Sequence, residues 1–380
     1  MSAIALSNYS QASEWVGVSL GMAIGAAGGL FVSGGWSLQG ASTLINDSLN
    51  RESIILRSSI HRTLSLVFSV PIFALICFVT YPPEFLVCFL SACATAAIGA
   101  GPRWYLSATG QVGRLVRLDI IPRAVAGIFS IVVILVGGSV LIFCLTVLVG
   151  QLAPIPLSIK DKKAWLNEFK KWNAVKYLAT VRANAYSTAA EMIGAITLAS
   201  PLIIASFTLD TDQNAEVATA FRIFGIALTA TTILSNASQS ASIIETSDKR
   251  HLVVKQNLKY SFFLASAGLF FISFTAIGVS SLLFPRFEVS TNLIFITFGV
   301  AFFSMTVATH FLRHIVLYLK MYREVLFSNL LALACCLFVT VFLHLTSAIN
   351  IGTVAIPYAV AELVALIALV VVAKRSNSKL

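Results

Sequence analysis

The chain has 380 residues, of which 58% are hydrophobic and only 11% charged. A soluble domain carries about 25% charged residues, so a soluble globular class is excluded, and apolar runs that are continuous rather than alternating exclude a transmembrane barrel. The net charge of +10 reads as membrane topology and not as nucleic-acid binding, because Lys and Arg gather on one side of a membrane protein.

In chain order the sequence predicts an all-α polytopic membrane protein of about eleven transmembrane helices, counting apolar stretches near 20 residues. The first five fall at roughly 14–35, 63–81, 84–101, 121–135 and 139–159. Span one is rich in small residues (Gly21 to Gly29), which suits close helix packing. A polar stretch from Ser37 to Arg62 follows it, its first part continuing the helix. Spans two and three meet at Tyr81-Pro82-Pro83-Glu84, and spans four and five at Gly137-Gly138.

The longest polar segment, 160–182, holds seven Lys and Arg, and Trp165, Leu166, Phe169, Trp172 and Val175 recur near a helical period. That pattern predicts a basic amphipathic helix on the inner membrane surface. It divides the chain into an N-terminal lobe (1–159), a linker (160–182) and a C-terminal lobe (183–380). The last lobe has six spans at about 183–207, 216–244, 261–284, 291–310, 325–345 and 352–372, with Pro201 permitting a kink in the first.

Placing alternate connections on one side gathers every Lys and Arg there except Arg222 and Arg286, while Glu84, Asp210, Asp212, Glu216 and Glu288 fall on the other. This bias puts the C-terminus in the cytoplasm and the N-terminus outside. No Lys or Arg precedes Arg51, so no basic n-region of a signal peptide is visible. The six cysteines all lie in apolar stretches without disulfide or metal-ligand spacing and read as small hydrophobes.

Two stretches echo each other 200 positions apart: Gln39-Gly40-Ala41-Ser42 and Gln239-Ser240-Ala241-Ser242. A hydrophobic helix precedes each. An acid follows each (Asp47, Glu245), then a basic segment and another hydrophobic helix. Both motifs end spans of the same direction, so the implied repeat is parallel. The matched helix is first in one half and second in the other, so the first half lacks an opening helix.

The sequence also resembles a known family. Gly101 to Gly110 (GPRWYLSATG), Leu118-Asp119 with Pro122-Arg123, and Ala220-Phe221-Arg222-Ile223 are similar to bacterial polysaccharide or O-antigen flippases, which move lipid-linked oligosaccharides and belong to the multidrug/oligosaccharidyl-lipid/polysaccharide exporter superfamily. The resemblance implies two six-helix lobes and residence in the bacterial cytoplasmic membrane. It also implies alternating access and a polyprenyl-pyrophosphate-linked cargo. Polysaccharide polymerases or glycosyltransferases would be its partners, beside membrane lipids. The usual twelve helices would here begin at the second.

Arg222 lies within a predicted span, where a charge is costly unless it faces a watery path or a partner. A cationic path suits a pyrophosphate, since the guanidinium fork donates paired hydrogen bonds. The competing role is a structural pair with Glu191, Glu362 or the acidic outer loop. Arg123 and Arg103 could contact phosphate near the inner leaflet or simply anchor that face. Glu362, Glu191 and Asp47 are the candidate coupling acids, with Glu362 the deepest. A hydrogen bond to a neighbouring helix would equally explain Glu362. His310 and His314 read as interfacial. No HExxH, P-loop or G-x-S-x-G motif occurs, so no enzyme, cofactor or metal site is expected. A drug or metabolite exporter of the same superfamily, or a non-transporting scaffold of a polysaccharide-synthesis complex, are the alternatives.

Overall fold

The computed structural model describes residues 2–46, 50–159, 161–244, 247–312 and 321–376, with the side chains of all but 2–3, 38, 41–42, 45–46, 230, 232–244, 247–254 and 376. Helices dominate, and ten among the described residues are long and apolar enough to cross a membrane. The chain divides into two compact units, Met1–Ile196 and Thr197–Leu380.

In the first unit a short α1 (Ser2–Tyr9) precedes α2 (Ala12–Ser33) and α3 (Trp36–Asn46). The start of α2 is fixed by a capping box, in which the Glu14 carboxylate accepts from the Gln11 N–H at 2.8 Å. Its end is fixed by Gly34 and Gly35, both at positive φ (+59° and +75°), a conformation glycine adopts without steric cost. Next comes α4 (Arg51–Thr80), a 3-10 turn (Pro82–Glu84), and α5 (Phe85–Ala100). The sequence expected span two to begin near Thr63. Instead α4 is one helix of 30 residues, because the run from Arg51 to Arg62 contains no glycine or proline to stop it.

Then follow α6 (Arg103–Ala108) and α7 (Val112–Leu115). A π-helical turn (Val116–Ile120) leads without a break into α8 (Ile121–Leu135), and α9 (Val140–Leu152) and α10 (Pro154–Ser158) follow. The basic linker forms two helices, α11 (Lys162–Lys170) and α12 (Ala174–Ala183), capped by the side chains of Asp161 and Asn173. The division between units falls within α13 (Ala185–Thr208).

The second unit continues with α14 (Thr211–Ile244), α15 (Ser247–Leu283), a 3-10 turn (Pro285–Phe287) and α16 (Asn292–Phe311). It ends with α17 (Tyr322–Leu345) and α18 (Ile356–Ser376). The expected span at 216–244 lies in the 34 residues of α14, whose side chains beyond Thr231 fall outside the described residues.

Each unit repeats the other's internal plan. In the first, α2 packs on α4 and α5, α4 on α5, α5 on α9, and α8 on α9. In the second, α14 packs on α15 and α16, α15 on α16, α16 on α18, and α17 on α18. A proline-led 3-10 turn joins the second and third helix of each set. Short α1 packs on α8, and its counterpart α13 meets α17 where the Cys336 thiol lies 3.4 Å from the Ser200 hydroxyl. The matched helix differs in one respect. Gln11 and Gln213 are 202 positions apart and Gln39 and Gln239 only 200, so the first unit carries two extra residues. They coincide with the break at Gly34-Gly35, while α14 runs through.

The seam between α2 and α5 uses glycine at every fourth position, Gly17, Gly21, Gly25 and Gly29. A Cβ at Gly21 would strike the Cys88 carbonyl, and one at Gly25 the Ala92 carbonyl. Such spacing lets two backbones touch, where dispersion rather than water exclusion holds helices in lipid.

Candidate functional site

Asp119 organises the basic-side end of the first unit. The π turn carries it to full burial, one helical turn before Arg123. Arg123 Nη2 lies 2.7 Å from one carboxylate oxygen as an ion pair, and Arg103 donates to the other through Nη2 at 3.0 Å and Nε at 3.2 Å. The two arginines weighed separately in the sequence are thus brought together on one acid. Arg123 is 10% exposed and Arg103 55%, so Arg103 alone keeps a solvent-facing guanidinium edge. A buried carboxylate held this way ties α6 to α8, and losing it would strand a buried charge.

Arg62 was treated by the sequence as part of a basic connection. The structure buries it inside α4. Its donors go to backbone carbonyls, Nε to Ser58 at 3.2 Å and Nη1 to Gly99 at 3.4 Å and to Gly101. Its guanidinium carbon lies 5.6 Å from the centre of the Trp104 ring, a cation–π distance. No carboxylate lies within ion-pair distance of it among the described residues. Its neighbour His61 is buried too, stacked on Tyr177 of the linker at 5.1 Å.

In the second unit Arg222 sits on α14, half-buried, six residues and so about 9 Å along the axis from Glu216. Glu216 accepts from the Ser290 N–H at 2.8 Å, fastening the end of α14 to the turn before α16. Aromatic rings flank Arg222 in sequence and build the core beside it. Phe224 stacks on Phe298 at 4.8 Å, Phe221 meets Phe298 edge-on at 6.1 Å, and Phe224 meets buried Tyr358 at 5.8 Å. Tyr358 is one turn from half-buried Glu362 on α18, and their side chains interact.

Glu191 accepts from the Ser37 hydroxyl at 2.6 Å, and Gln39 donates to Ser187 at 2.8 Å. Both bonds join the start of α3 to the start of α13. Gln39 of the repeat motif therefore has a packing role in the first unit. The side chains of Ser42, Gln239 and Ser242 lie outside the described residues, as do Asp47, Glu245 and His314 altogether. His310 is buried, 3.3 Å from the Ser261 hydroxyl. The sequence missed Arg62 and the joint use of Asp119. The second was half visible, since Asp119 and Arg123 are four apart on a helix. Nothing local marks the contact with Arg103.

No family model matches the chain, and no curated protein matches it. Solved structures do. The chain is similar to the inward-facing conformation of a multidrug resistance MATE family transporter of the MOP superfamily, with a TM-score of 0.66 at 14% identity, over 100% of this chain and 93% of that one. A MATE structure in the bent conformation gives 0.65 at 14% identity, covering 100% and 90%. The outward-facing conformation of a multidrug resistance MATE family transporter gives 0.58 at 15%, covering 100% and 91%. Identity this low speaks for architecture only: the chain has the fold of the MATE transporters.

Proposed function

We propose that this chain is a secondary transporter working by alternating access, and that its cargo is a polyprenyl-pyrophosphate-linked oligosaccharide moved from the inner to the outer leaflet. The observation that carries this reading is Arg222, a cation on a membrane-length helix of a two-unit transporter fold. Alternating access is supported by the likeness of the fold to both inward-facing and outward-facing transporter structures. Arg222 would stabilise the pyrophosphate in mid-passage, and the exposed edge of Arg103 would receive it at the inner face, with Arg123 holding the shared acid in place. Glu362 beside Tyr358 is the favoured coupling acid, ahead of Glu191 and Asp47. The protein would reside in a bacterial cytoplasmic membrane with its C-terminus inside, beside polymerase or glycosyltransferase partners.

A second reading, a drug or metabolite exporter, is favoured by the multidrug transporters among its structural neighbours and by an acid, Glu362, within a span. Liposomes separate the two. Purified protein is reconstituted with a labelled polyprenyl-pyrophosphate oligosaccharide, and in parallel with fluorescent cationic drugs. Time-dependent flipping that is lost in Arg222→Gln, without drug transport, is the expected result. Drug transport lost in Glu362→Gln, with no flipping, would establish the exporter instead. Neither movement from folded protein would favour the scaffold.

A further inference from the structure

A cavity of about 280 Å³ opens at the end of the first unit that carries the basic connections. Helix α4 contributes Glu52, Ser59 and Arg62 to its wall, α6 contributes Tyr105, α7 contributes Arg114, and the linker adds Asp161 and Trp165. The wall is internally braced. The Trp165 indole donates to the Ser59 hydroxyl at 3.3 Å, Arg114 donates to Gln111 at 2.7 Å, and the Asp161 carboxylate caps α11 through Ala164 at 2.9 Å. The linker helix therefore closes one side of the cavity rather than lying loose on the surface.

We infer that this cavity holds the headgroup of a zwitterionic phospholipid from the leaflet facing the basic side, a phosphate and an ammonium together. Charge balance selects that class. The wall carries two guanidinium groups, Arg62 and Arg114, and two carboxylates, Glu52 and Asp161. Arg62 is buried with only carbonyl oxygens and a ring against it, and a buried cation without a counter-charge is costly, so an anion on its cavity side offsets that cost. A phosphate suits the guanidinium fork. A pyrophosphate would leave the two carboxylates facing excess negative charge, whereas a phosphate with a tethered ammonium satisfies both signs. Trp165 and Tyr105 add aromatic faces for the ammonium.

The volume is near the lower end of ligand sites, about 300–1,000 Å³, enough for a headgroup and not for a sugar chain. Beyond Arg62, α4 exposes Val67, Phe68, Ile72, Leu75 and Phe78, so apolar surface is available on the same helix.

The site is independent of the cargo and is tested without transport. Delipidated protein in detergent is titrated with dioleoyl phosphatidylethanolamine, dioleoyl phosphatidylglycerol, soluble phosphoethanolamine and polyprenyl pyrophosphate, followed by native mass spectrometry and thermal unfolding. Phosphatidylethanolamine should bind and raise the midpoint more than the others. Arg114→Gln and Glu52→Gln, both on the wall and outside the core, should each weaken its binding about tenfold, the scale of one charge-assisted bond, while the lipid-free proteins melt like wild type. Equal or better stabilisation by phosphatidylglycerol would overturn the proposal. So would stabilisation by soluble phosphoethanolamine alone, displacement of the lipid by polyprenyl pyrophosphate, or unchanged binding in both variants.

Discussion

The pair α2–α5 in the first unit and the pair α14–α16 in the second occupy the same place in the repeated plan, yet they are packed by opposite means. The first is a glycine seam in which backbone lies on backbone at Gly21 and Gly25. The second is spaced by Phe221, Phe224 and Phe298. The residue six after Glu14 is Leu20, fully buried, and the residue six after Glu216 is Arg222, half-buried. One topology thus serves a tight, apolar scaffold and a looser aromatic frame that can carry charge. The repeat keeps helix order, while side-chain volume decides which copy can carry function.

The largest effect should come from closing the space in the seam. Gly21→Leu or Gly25→Leu drives a side chain into a backbone carbonyl that has no room to retreat, exceeding the roughly 1–3 kcal/mol of ordinary overpacking. The expected outcome is loss of the monodisperse peak on detergent size-exclusion chromatography, whereas leucine at Gly225, beside which no atom lies within 4 Å of an added Cβ, should be tolerated. A normal elution profile for both seam variants would remove the contrast between units. Next is the aromatic frame. Phe224→Ala removes a ring stacked on Phe298 and touching Tyr358, at a cost of about 3–5 kcal/mol. Thermal unfolding should show a lower midpoint, and Phe224→Leu should recover much of it.

The helix order, the turn at Pro82-Pro83 and the repeat were legible in the sequence, because apolar runs and turn prolines act locally. The Gln39/Gln239 echo marked equivalent helices even though Gln39 serves a local bond to Ser187. Other features were not legible. Arg62 looked like one more cation in a basic loop, since a polar stretch with no breaker reads equally as loop or helix; burial against Gly99, Gly101 and Trp104 is tertiary. Arg103 and Asp119 are sixteen positions apart and meet only because α5 ends at Gly101-Pro102 and the π turn rotates Asp119 inward. The glycine spacing was visible as small-residue character, and its partner helix was not.

A smaller effect sharpens the contrast at the first unit's basic end. Asp119→Asn leaves Arg123 buried without its counter-charge. The loss should fall toward the lower end of the ~3–5 kcal/mol typical of broken buried pairs, because Arg103 is half exposed and gains little from its ion pair. Adding Arg123→Gln to Asp119→Asn should restore part of the melting temperature. If the double variant melts below wild type by the full sum of the two single changes, the two residues do not act as a pair.

A cationic path through the second unit requires that Arg222 face water. A single Arg222→Cys substitution, in a background with the six native cysteines replaced, is exposed in sealed membrane vesicles to a membrane-impermeant thiosulfonate from each side. Labelling is expected from both faces, at rates that shift in opposite directions when cargo or an ion gradient biases the transporter. Protection from both faces in folded protein would make position 222 a packing site and would contradict a cationic path through the second unit.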